Sequence, residues 1–72
     1  MPLHPVADQL LVRLAAANQT RTAGFVLEAG PLAPDIFRRG TEVMFDPGRI
    51  VDSLDDTVLV RAADVLARRP RH

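Results

Sequence analysis

No cysteine occurs among the 72 residues of the chain, and no lysine, tryptophan or tyrosine. Without cysteine there are no disulfides and no thiolate ligands for a metal. Imidazoles are nearly as scarce: His4 and His72 stand at opposite ends of the chain, so a structural zinc is not expected. Three phenylalanines are the whole aromatic content, too few for a platform on which single-stranded bases stack. An excess of one charge is also missing. Nine basic residues, all arginine, balance nine acidic ones, whereas nucleic-acid binders usually carry a basic patch or stripe. The four glycines are scattered singly and form no phosphate-cradling loop. No apolar run approaches the ~18 residues of a membrane span. Residues 1–5 lack the charged and then apolar regions of a signal peptide. The expectation is a soluble, cytoplasmic chain with no cofactor, no metal, no membrane partner and no specific nucleic acid.

These absences leave a question of support. A chain of 72 residues makes one domain. A domain of this size buries only about 60% of the surface its unfolded form exposes. With disulfides and metals excluded, oligomerisation is the remaining way to stabilise it.

What is present reads as strands. In "QLLVRL", Leu10, Val12 and Leu14 alternate with Leu11 and Arg13. "GFVLEA" sets Phe25, Leu27 and Ala29 against Val26 and Glu28, and "TEVMFD" sets Val43 and Phe45 against Met44. "DTVLVRA" sets Thr57, Leu59 and Arg61 against Val58 and Val60, and is rich in β-branched residues. Turn chemistry separates these segments: "AGPLAPD", "FRRG", "DPGR" at 46–49, and the polar connection "SLDDT" at 53–57. Six prolines forbid a long helix. "LAAANQ" has helix propensity but is too short to hold a helix alone. "AADVLARR" reads either as one or two helical turns, or as a turn at 62–64 followed by a closing strand at 65–67. The strand is preferred because an open edge has to be covered.

In this order the segments resemble the chaperonin-10 (GroES-like) co-chaperonin family. "PLHPVADQLLVRL" is similar to that family's opening, through Asp8, Leu10, Leu11, Val12 and Arg13. "GFVLEAG" matches its second strand at Gly24, Val26, Leu27 and Gly30; "IFRRGTEVMF" keeps Gly40, Val43 and Phe45; "LVRAADVLA" keeps Arg61, Asp64, Val65, Leu66 and Ala67. The resemblance implies an all-β fold, a small GroES-like β-barrel of about five short strands with a possible short helical turn near the C-terminus. The domain would span 1–67, with an Arg-rich tail at 68–72. It also implies two losses, since the family's long mobile loop and its roof hairpin have no room here. "TAGFVLEAG" therefore aligns in two ways. As a mobile loop, Phe25, Val26 and Leu27 would be the tripeptide that grips a chaperonin ring. As a strand, they complete the barrel, and the gripping loop is gone. The strand is favoured, because removing it would expose two edges and part of a scanty core.

Catalysis finds little support in the residues. Ser53 is the only serine, and neither histidine lies near it in sequence. Asp52, Asp55 and Asp56 offer carboxylates for a cation, but aspartates in such runs usually cap solvated turns. No enzyme is expected. Leu11, Val26, Met44 and Val58 lie on the face opposite the assigned core. Either the faces err by one residue and these belong to the core, or they form an apolar patch for a neighbour. The residues expected to carry an oligomer or lattice interface are Leu3, Leu11, Met44, Val65, Leu66, Arg68, Arg69 and Arg71. In the family resembled, terminal strands of adjacent subunits pair to close a ring.

Three functions follow from this reading. The first is a structural or assembly subunit, a homo-oligomer or a part of a larger lattice. A bacteriophage capsid decoration or minor virion protein is one concrete form, which would place it in the virion. The second is a minimal co-chaperonin that caps a chaperonin ring. The third, a small regulatory or nucleic-acid-binding domain using Arg38, Arg39 and the Arg tail, is opposed by the zero net charge.

Overall fold

A computed structural model describes residues 3–17 and 22–69 of the chain. The strands are β1 (Gln9–Ala17), β2 (Thr22–Ala29), β3 (Glu42–Phe45), β4 (Asp52–Leu54), β5 (Thr57–Arg61) and β6 (Val65–Arg69). Among the described residues all pairings are antiparallel, in one sheet of order β4-β5-β1-β2-β3-β6. No α-helix occurs among the described residues. β4 and β6 form the two ends of the sheet and do not pair with each other, so the sheet is open. Expectation and structure share an all-β architecture; that the strands pair antiparallel in an open sheet comes from the structure. Six strands lie among the described residues, against about five expected, because "SLDDT" is more than a connection: Asp52–Leu54 pairs with β5 around a turn at Asp55 and Asp56. Asp55 takes a left-handed conformation there (φ 54°), which aspartate tolerates better than most residues.

One face of the sheet holds the core. Leu10 and Val12 of β1, Val26 of β2, Val43 and Phe45 of β3, and Val58 and Val60 of β5 are buried together with Phe37 and Ala62. Residues directly opposite one another in a ladder share a face. The registers Val12↔Val26, Val12↔Val58 and Leu10↔Val60 assemble this set strand by strand. A single sheet with no second layer buries one face only by curving around it. Bulges in the β1–β2 ladder at Leu11/Val12 and Leu14/Ala16 supply bend and twist. Phe37, from the connection between β2 and β3, joins the cluster.

The bulge also corrects the face assignments. Leu11 stands opposite Glu28, but the next residue, Val12, stands opposite Val26, leaving Leu27 as the extra residue. Alternation restarts one step out of phase. Val26 therefore points into the core, fully buried, while Phe25 points outward, 40% exposed. Val58 is likewise a core residue, placed there by its register with Val12. Of the four residues read as an outer apolar patch, Leu11 and Met44 are on the outer face, and Val26 and Val58 are not. Leu59 takes the outer side of β5, opposite Leu11, and is buried apart from the core cluster.

Local chemistry sets the remaining boundaries. Leu14–Ala17, helical by propensity, continue β1, since pairing with Thr22, Ala23 and Gly24 outweighs a weak intrinsic preference. "DPGR" forms a 3-10 turn at Pro47–Arg49, opened by the Asp46 carboxylate accepting from the Gly48 N–H at 2.8 Å. Ala62–Asp64 make a second 3-10 turn, and β6 follows it directly. Arg68 and Arg69, read from the sequence as the start of a tail, are the last residues of β6. Gly24 is needed where β2 crosses closely over β1: a Cβ there would strike the Arg13 carbonyl oxygen and the Val12 side chain.

Candidate functional site

The tripeptide Phe25, Val26 and Leu27 lies inside β2, which is paired with β1 on one side and β3 on the other. Phe25 is opposite both Arg13 and Glu42, and with Leu27, Arg13, Arg39 and Gly40 it lines a shallow depression on the outer face. Residues 18–21, which belong to the loop alignment, lie outside the described residues.

The residues read from the sequence as an interface fall into separate places. Met44, Arg68 and Arg69 come together with Glu42 and Ala67 around a small groove at the β3–β6 border. Leu66, on the same strand, is 63% exposed. Val65 is partly buried and packs against the core, which its pairing with Phe45 explains. Leu11 is on β1, three positions from β6 in the sheet order, and half-buried beside Leu59 and Glu28. Leu3 is half-buried in the segment before β1. Arg71 and the remainder of the expected tail, 70–72, lie outside the described residues.

Three solvent-exposed ion pairs lie on this surface among the described residues. Arg13 meets Asp56 at 3.1 Å, Arg61 meets Asp8 at 3.7 Å and Arg69 meets Glu42 at 3.8 Å. One continuous outer-face row crosses all six strands: Leu54, Thr57, Arg13, Phe25, Glu42, Arg69. Ser53 is on the β4 edge, and His4 is exposed ahead of β1. Among the described residues, no three His, Cys, Asp or Glu side chains gather as metal ligands would.

The phase of the ladders determines what each free edge presents. In the β1–β5 register, the Ala62 N–H donates to the Asp8 carbonyl (2.9 Å) and the Leu14 N–H to the Asp56 carbonyl (2.7 Å). Bonded and non-bonded pairs alternate along an antiparallel ladder. Val58 and Val60 therefore turn their backbone groups to β1, and Thr57 and Leu59 turn theirs to β4. Asp52 and Leu54, the partners of Leu59 and Thr57, bond inward, so Ser53 directs its N–H and C=O out of the sheet. Its N–H is in fact held by the neighbouring Asp52 carboxylate at 2.8 Å. At the opposite edge, the Val26 N–H donates to the Thr41 carbonyl (2.9 Å), continuing the β2–β3 register. Val43 then bonds to β2, and Glu42 and Met44 bond to β6. Their partners Arg69 and Ala67 face inward, leaving the Arg68 N–H and C=O on the open edge.

From the sequence, Ser53 reads as part of the polar connection at 53–57 and Asp52 as a turn-capping aspartate or a carboxylate for a cation. Their place on an edge strand became visible once β4 was distinguished from the turn that follows it. No helix among the described residues is long and apolar enough to cross a membrane. No family model and no curated protein compared with this chain matches it.

Proposed function

We propose that the chain is a non-enzymatic protein–protein interaction module, a minimal GroES-like unit used as an oligomeric structural or assembly subunit. A bacteriophage capsid decoration or minor virion protein is the concrete form of this reading; a cytoplasmic assembly protein is the other. The observation that carries it is the β6 edge: Arg68 turns its backbone groups outward beside the exposed Leu66, and among the described residues no strand pairs with that edge. Such an edge is a template for an added strand. A domain this small also gains from having its surface covered.

A minimal co-chaperonin is the second reading, favoured by the outward-facing Phe25. Against it stands the pairing of β2 on both sides: offering Phe25, Val26 and Leu27 to a ring would require breaking two ladders and uncovering Val26. Native mass spectrometry with a double-ring chaperonin, with and without ATP, separates the two. The expected result is homo-oligomers and no chaperonin complex in either condition. A nucleotide-dependent complex, lost on Phe25→Asp in a chain that still folds, would replace the first reading by the second.

A further inference from the structure

We infer that the β6 edge of one copy adds to the β4 edge of the next, antiparallel, with Arg68 opposite Ser53. The inference rests on the assembly-module reading and names the partner, a second copy of this chain. Three features of the edges agree on this register, the second following from the first. The first is phase: Ser53 and Arg68 are the residues whose N–H and C=O point out of the sheet, as a bonded pair requires.

The second is face. Leu54 and Arg69 end the same outer-face row, and Asp52 and Ala67, two residues from each, share that face. Pairing Ser53 with Arg68 sets Asp52 opposite Arg69 and Leu54 opposite Ala67, all on the outer side. The third is charge. The β4 end carries Asp52 and Asp55, and the β6 end carries Arg68 and Arg69, all exposed. A slip of two residues in one direction puts Pro70, which has no N–H, opposite Ser53. A slip in the other direction puts Asp52 opposite Ala67 and separates it from Arg69.

The seam exchanges bonds rather than merely adding them. Asp52 releases the Ser53 N–H and turns to Arg69, which keeps Glu42 on its other side. The freed N–H takes the Arg68 carbonyl of the neighbour. Until a neighbour arrives, the short, acidic and self-bonded β4 is blunted against other strands. Because the two edges differ, the contact is head-to-tail and propagates into a ring or a filament.

Sedimentation velocity over a range of concentrations tests this on the full chain and on Asp52→Arg, Arg69→Asp, the double variant and Ser53→Pro. The wild type is expected to self-associate, and each single reversal to weaken association about tenfold or more. The double reversal, or a mixture of the two single variants, restores it. Ser53→Pro removes an edge N–H that serves no rung within the sheet, so association falls while the far-UV circular dichroism and melting temperature hold. If that variant fails to fold, the reversal and its rescue decide alone. Association that none of the changes moves overturns the β6–β4 seam and leaves the assembly-module reading standing. A monomer at every concentration overturns the seam together with the homo-oligomeric form of that reading.

Discussion

Truncating two adjacent residues of β2 to alanine tests the bulge directly. Val26 is fully buried and Phe25 is 40% exposed, although Phe25 is the larger side chain. Val26→Ala removes two methyl groups at ~0.8 kcal/mol each, plus a cavity term, for roughly 2–3 kcal/mol in all. Phe25→Ala loses only the covered part of a ring on the outer face, about 1–2 kcal/mol. A domain of this length has roughly 4–11 kcal/mol to lose, so the first change is severe. It lowers the melting temperature by about 8–24 °C, at ~4–8 °C per kcal/mol. With no tryptophan or tyrosine in the chain, the assay is urea unfolding followed by far-UV circular dichroism. The reasoning is refuted by the reverse order: a Phe25→Ala loss of about 3–5 kcal/mol, as for a core phenylalanine, with little effect at Val26. Negligible losses at both positions would mean that the segment is not a strand at all.

Two further outcomes follow from the same geometry. Gly24→Ala is expected to destabilise by roughly 1–3 kcal/mol, because the new Cβ meets the Arg13 backbone, which cannot move aside as a side chain would. Urea midpoints measure it, and a neutral result would show that β1 and β2 are not in this register. Arg13 and Asp56, although 3.1 Å apart, are both mostly exposed, so a double-mutant cycle should give a coupling below ~1 kcal/mol. That coupling should vanish near 1 M salt. A larger, salt-resistant coupling would contradict the solvent exposure of the pair.

How far the sequence could be read depended on whether a residue's position was determined locally. Val43 and Phe45 alternate cleanly and are both buried, as are Leu10 and Val12. Their strands needed only the period of the pleat. Val26 was misplaced because Leu27 is a bulge residue, and a bulge is a property of two paired strands rather than of either one. Val58 was misplaced for a related reason. Thr57–Arg61 is apolar on both sides, with Leu59 buried outside the core, so its own pattern does not choose a face. Phe37 sits among prolines and arginines in a connection, where no period marks it as core. The edge chemistry was partly visible: Leu66, Arg68 and Arg69 stood out near the end of the chain. Ser53 reads as part of the connection at 53–57 and Asp52 as one of a run of turn aspartates, because a strand of three residues is too short to show alternation.

The central position of β1 has a consequence for the order in which the fold can be made. Its pairing with β2 closes soon after both are synthesised, but its other edge waits for β5; Arg13 and Asp56 are 43 positions apart. Long-range pairings of this kind slow folding, and unpaired edges in partly made chains invite association. During synthesis, Leu10 and Val12 remain uncovered on the β5 side until Val58 and Val60 have emerged. A nascent chain stalled before Thr57 would hold the middle strand of its own sheet as a bare edge, open to whichever strand reached it first.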